Sequence, residues 1–148
     1  MKKLIEDAAA AAKNAYSPYS KYHVGAALLT TSGRVFTGCN VENASYGATN
    51  CAERTAFFKA VSEGFREFEA IAIVGAPAEM IWPEGARTGE HHIEFSDYAY
   101  PCGICRQVMQ EFCSSDFQII VAKSVQDYKV YTLQELLPFG FSGSVKDS

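Results

Sequence analysis

The chain has 148 residues, 48% hydrophobic and 20% charged, which is enough for one domain (1–148) with a proper core and too few for two of ordinary size. Its 13 basic and 17 acidic residues leave a net charge of -4 with no Lys/Arg cluster, so a nucleic-acid partner is not expected and the substrate should be small and not strongly anionic. No apolar run approaches the roughly 18 residues of a membrane span, and Glu6 and Asp7 interrupt the apolar region a signal peptide would need after "MKKLI", so a cytoplasmic location is expected.

In chain order, "KKLIEDAAAAAKNAY" is an Ala-rich helix former stopped by Ser17-Pro18. "VGAALLTTSGRVFTG" reads as two strands around the Ser32-Gly33 turn, and "CNVENASYGATN" as an irregular loop with room for function. From Cys51 to about Glu63 the apolar positions Ala52, Ala56, Phe57, Ala60 and Val61 have helical spacing, and Gly64 is placed to end the helix. "EAIAIVGA" and "QIIVAK" have the length and β-branched content of buried strands. Between them "PCGICRQVMQEFC" reads as a helix with Pro101 at its start. "KVYT" suggests an edge strand and "LQELL" a short last helix before Pro138. This order predicts an α/β fold, a mixed sheet covered by helices on its faces.

Five cysteines, Cys39, Cys51, Cys102, Cys105 and Cys113, are an odd number for a disulfide framework and favour metal binding or catalysis. Cys51 and the Cys102/Cys105 pair fall at helix starts, where unpaired N–H groups and a partial positive charge stabilise thiolates. If the two starts face one another, three thiolates converge, and zinc is the metal that soft sulfur and tetrahedral geometry favour. Three protein ligands leave a fourth position open, the pattern of a catalytic site; Glu53 then lies where it can move protons. Each part has a plainer reading: "PCGIC" could be a thioredoxin-like redox pair, and a buried cysteine is common as a small hydrophobe. Cys39 and Cys113 are read as core packing.

Taken together, ligand-x-Glu followed by Pro-Cys-x-x-Cys matches the zinc deaminase template, with Cys in place of the first His. With "YSPYSKYHVGAALL", "GCNVENASYG", "NCAERTAFFKAV", "PCGICRQ" and "LQELLPFGFS" in order, the chain resembles the cytidine deaminase family, particularly its small homotetrameric members. The resemblance implies a three-layer α/β/α sandwich, one zinc ion per chain held by Cys51, Cys102 and Cys105, and Glu53 as proton shuttle. It implies that Asn40 and Glu42 hold the ribose, that Tyr22 lies against the pyrimidine where relatives usually have Phe, and that Tyr46 and Phe141 reach a neighbouring subunit's site. It also implies that Arg54 compensates the excess thiolate charge, and that cytidine and deoxycytidine are deaminated in pyrimidine salvage.

Residues 77–100 form a longer connection than the family usually has, and its length suggests a cover over the site or a subunit contact. Trp82, Phe95, Tyr98 and Tyr100 argue against full disorder, and His91 and His92 are read as ordinary loop histidines. Two rivals remain: a blasticidin-type aminonucleoside-antibiotic deaminase, from which "NVENASY" separates this chain, and a zinc-stabilised binding module without activity.

Overall fold

The computed structural model describes residues 1–81, 95 and 97–143. In chain order it has α1 (Lys2–Ala12), β1 (Tyr22–Thr30), β2 (Val35–Cys39), a 3-10 turn (Tyr46–Ala48) and α2 (Ala52–Ser62). Then follow β3 (Phe68–Pro77), α3 (Ala78–Ile81), α4 (Gly103–Phe112), β4 (Gln118–Ala122), β5 (Tyr128–Thr132) and α5 (Leu133–Leu136).

The strands form a mixed sheet in the order β2-β1-β3-β4-β5, with β3 and β4 parallel and the other neighbours antiparallel. Side-chain alternation along the central strands divides the interior into two layers. Ala26, Leu28, Ile71, Ile73, Ile119 and Val121 pack under α2 and α4 with Phe57 and Met109. Ala27, Ala70, Ala72, Val74, Ile120 and Ala122 pack on the opposite face under α1 with Leu4, Ile5 and Ala8. The expected three-layer α/β/α arrangement is therefore present, and "KVYT" lies in the edge strand β5.

Helices α1 and α2 each approach the sheet closely at a glycine. A Cβ on Gly25 would lie 2.0 Å from the Ala8 carbonyl oxygen, and one on Gly38 would lie 2.4 Å from the Ala52 carbonyl oxygen. Those are backbone atoms that cannot turn aside, so the helices sit where they do because β1 and β2 offer no side chain there.

Among the points that bear on the site, two boundaries and one burial assignment differ from the sequence reading. Helix α1 ends at Ala12, four residues before Tyr16, because the Tyr16 amide donates to the Asn40 carbonyl and its own carbonyl accepts from the Glu42 amide. Pro101 precedes the N-cap Cys102 and lies outside α4, which begins at Gly103. Cys39 is half-buried at the end of β2, so it belongs to the core only in part, whereas Cys113 is buried as expected. Gly64, with φ 98°, does follow the end of α2.

In the long connection, Trp82, His91 and His92 lie outside the described residues. Its far end is anchored. Phe95 is buried in the layer under α1 and its amide donates to the Lys123 carbonyl at 2.8 Å, and Asp97 bridges to Gly75 on β3.

Candidate metal centre and substrate pocket

Cys51 is the N-cap of α2 and Cys102 the N-cap of α4, both with extended backbone. Cys105, one turn further, is buried, and its amide donates to the Cys102 sulfur at 3.5 Å. The Cys51 and Cys102 Sγ atoms are 3.7 Å apart, Cys102 and Cys105 3.4 Å, and all three sulfurs lie within 4.8 Å of one another. Sulfurs about 2.3 Å from a tetrahedral zinc stand about 3.8 Å apart, so the set fits that metal with small adjustments. Softness points the same way, since three thiols with no oxygen donor among them favour zinc over magnesium or calcium.

Charge at the sulfurs is uneven. A hydrogen bond from the Cys105 thiol, with further help from Arg54 and Cys102, lowers the Cys51 thiol to about 5 against the opposing effect of burial. The same bond, reinforced by burial and by the nearby Glu53, raises Cys105. Arg54 donates through its Nη2 to the Thr49 carbonyl at 3.0 Å and to the Cys51 sulfur at 3.3 Å, and its Nε is buried without a partner. Burial works against its charge, but the Cys51 and Cys105 sulfurs outweigh it and hold the guanidinium protonated. Thus "NCAER" places a thiolate at the helix start, a guanidinium on its sulfur, and between them Glu53, 4% exposed. Burial pushes the Glu53 carboxyl up to about 7, with the Cys51 charge adding to the effect.

A second group of polar side chains surrounds the turn before β1. Glu42 Oε1 accepts from the Tyr19 and Ser20 amides, both at 3.0 Å, and Oε2 accepts from the Ser20 hydroxyl. Burial alone would raise this carboxyl, but the Ser20 hydroxyl and the two amides hold it below the usual carboxylate range. Asn40 clasps β1: its Oδ1 accepts from the Val24 amide at 2.9 Å and its Nδ2 donates to the Tyr22 carbonyl at 2.8 Å. Tyr19, Ser20, Glu42, Tyr46 and Thr49 line a cavity of about 340 Å³. Thr49 joins the two groups, since it lines this cavity and its carbonyl receives Arg54.

The sequence-predicted residues therefore fall into three places. Cys51, Glu53, Arg54, Cys102 and Cys105 form one cluster; Glu42 and Tyr46 line the neighbouring cavity, while Asn40 is bonded to the Tyr22 carbonyl on β1 and neither it nor Tyr22 lines that cavity. Tyr46 is 70% exposed, edge-on to Tyr19 at 5.1 Å. Tyr22 is half-buried beside Gly75, its hydroxyl raised by burial and by Asp97. Phe141 stands apart on the outer side of α4, 77% exposed, its carbonyl accepting from Gln107 at 2.8 Å. Sequence reasoning missed Ser20 and Thr49; "SPYS" reads as a helix stop inside a longer motif, and nothing local announces that the Ser20 hydroxyl meets a carboxylate 22 residues away.

Residues 1–121 match the family model described as "Cytidine and deoxycytidylate deaminase zinc-binding region". A cytidine deaminase of Sporosarcina psychrophila is 44% identical over 142 residues, covering 96% of this chain and 91% of the relative. One from Halalkalibacterium halodurans is 45% identical over 139 residues, covering 94% and 92%. The crystal structure of cytidine deaminase from Burkholderia pseudomallei superposes with a TM-score of 0.77 at 45% identity, covering 94% of this chain and 97% of that one.

Proposed function

The chain belongs to the cytidine and deoxycytidylate deaminase family, and from that premise we infer that it hydrolyses the 4-amino group of cytidine and deoxycytidine, giving uridine or deoxyuridine and ammonia. The observation that carries this reading is the convergence of three sulfurs from two helix starts around a buried, proton-ready Glu53. Cys51, Cys102 and Cys105 would hold one zinc ion per chain, which supplies a Lewis acid able to make water nucleophilic at neutral pH.

The protein's own groups do the rest. Glu53 takes a proton from the attacking water and passes it to N3 of the ring as C4 is attacked. It then carries the water's second proton, by now on the C4 hydroxyl, to the amino nitrogen, so that the C4–N bond breaks, the C4 carbonyl forms and ammonia leaves. A carboxyl with a pKa near neutrality suits both halves of that exchange, because it neither holds nor releases the proton too strongly. Arg54 offsets part of the thiolate charge. Tyr22 packs against the pyrimidine. Glu42 has roughly four acceptor positions and three are occupied, so one remains for a ribose hydroxyl. Asn40 assists by fixing the β1 backbone beside it.

We further propose a homotetramer in which Tyr46 and Phe141 complete a neighbour's pocket. Their rings, with Phe139 and Ile104, leave apolar surface uncovered on this chain. Among the described residues no helix is long and apolar enough to cross a membrane, and a cytoplasmic salvage role fits a nucleoside substrate.

The test is ammonia release from cytidine by the purified protein, before and after treatment with a zinc chelator. Turnover that the chelator abolishes and zinc restores is the expected result. A protein that binds zinc and leaves cytidine unchanged would instead be the binding module without activity.

A further inference from the structure

Helix α4 presents two rows of side chains. Cys105 and Met109 face inward, while Arg106 meets the end of α5 and Gln107 and Gln110 meet the segment that follows it. Arg106 Nε donates to the Pro101 carbonyl at 2.9 Å, and its Nη1 donates to the Leu136 carbonyl at 2.8 Å. Pro101 is the residue before Cys102, and Leu136 is the last residue of α5. One planar, rigid fork thus grips the peptide entering the thiol cluster and the helix end from which the C-terminal segment departs.

That segment depends on α4 for its position. Gln107 Nε2 donates to the Phe141 carbonyl at 2.8 Å, and Gln110 Nε2 to the Ser142 hydroxyl at 2.7 Å. Phe139 has φ 57°, a left-handed conformation that costs a non-glycine residue about 1–3 kcal/mol and persists only where the surroundings impose it. The Phe139 ring is fully exposed, so its own packing does not impose that conformation. The tethers to α4 remain, and Arg106 fixes the point from which the segment starts.

We propose that Arg106 is a positioning residue that couples metal occupancy at the three sulfurs to the seating of the C-terminal segment that carries Phe141. The inference rests on the reading of Cys102 as a ligand. A metal on the Cys102 sulfur fixes the Cys102 side chain and, through it, the Pro101 peptide. Arg106 then keeps both of its acceptors in place and holds Leu136. Without the metal the Pro101 carbonyl can swing, and a guanidinium with one firm acceptor holds α5 less well. Linkage makes the effect mutual: whatever the metal adds to the order of the segment, the seated segment adds to metal affinity.

Two measurements on the full chain test this. Zinc affinity is read by competition with a chelating dye, and seating of the segment by the rate of chymotrypsin cleavage after Phe139 and Phe141, relative to cleavage elsewhere. In the unaltered protein zinc should slow tail cleavage about tenfold. Arg106→Gln should abolish that zinc dependence and weaken zinc binding by up to about tenfold, the same factor read from the other side of the linkage. Arg106→Lys keeps the charge but can serve one carbonyl at a time, so it should fall between. A residue that merely supported the fold would speed cleavage equally with and without zinc. Tail cleavage indifferent to zinc in the unaltered protein overturns the coupling, a result that needs no variant to fold. So does Arg106→Gln with unchanged zinc affinity and a zinc-protected tail while Cys102→Ala loses zinc. If Cys102→Ala itself binds zinc normally, the ligand assignment fails and the coupling with it.

Discussion

Glu53 and Glu42 are both buried carboxylates, 4% and 7% exposed, yet their surroundings drive them in opposite directions. Glu42 meets two amides and a hydroxyl at the turn before β1, and these more than offset its burial, so it stays ionised. Glu53 is held in the first turn of α2 beside the charged Cys51 sulfur, and burial leaves it near the point of gaining a proton. The same functional group is thereby made a fixed anion in one place and a carboxyl close to its protonation point in the other. A fixed anion is suited to anchor a sugar, and a carboxyl poised near neutrality to shuttle protons.

The sharpest test of this contrast is Glu53→Gln, which keeps the shape and removes the titrating group. Turnover of cytidine should fall at least about 10²–10⁴-fold while zinc content by metal analysis stays at the wild-type level. Loss of zinc along with activity would mean that Glu53 helps hold the metal, and the contrast would collapse. Glu42→Ala should act on binding instead. Losing a hydrogen bond to a charged group corresponds to a rise of about 10–100-fold in the KM for cytidine, with kcat much less affected. Equal losses in both constants would place Glu42 in the fold and not in the pocket.

Arg54→Gln should leave zinc bound and shift the pH dependence of turnover upward by about one unit, as expected if a charged hydrogen bond to the Cys51 sulfur is lost. An unmoved profile would reduce Arg54 to a support for the Thr49 carbonyl.

The smallest effects concern stability and carry opposite signs. Glu42 is depressed in the folded chain, so its contribution is full above the ordinary carboxylate pKa of about 4.3 and is lost as pH falls through its folded value. Glu42→Gln should therefore be less stable than wild type at neutral pH, with the gap closing in acid. Glu53 is raised, so its contribution is full below about 4.3 and is lost as pH rises through about 7. In reduced protein stripped of metal, Glu53→Gln should be the more stable form above neutrality and no different in acid. Urea midpoints measured across this pH range decide both, and gaps of the same sign would contradict the environments described.

How much of this could be read in advance follows the range of the interactions. "NCAER" and "PCGIC" were legible as sulfur sites because an N-cap position, the helix field on a thiol and the step from Cys51 to Glu53 are set within one turn. The buried strand in "EAIAIVGA" and the stop at Gly64 were legible for the same reason, as was the last helix, where Thr132 and Glu135 close a capping box. Only the tertiary structure decided the rest. The end of α1 at Ala12 is set by pairing of Tyr16 with Asn40 and Glu42, and the ionised state of Glu42 by a hydroxyl 22 residues away. The sulfur separations depend on how α2 and α4 lie on one sheet face, which Gly38 permits by leaving room for the α2 backbone. Arg106 reads in sequence as a helical cation, and only the return of the chain to α4 gives it the Leu136 carbonyl, 30 residues on. Local chemistry selects which residues can act, whereas their spacing and protonation depend on partners that sequence distance hides.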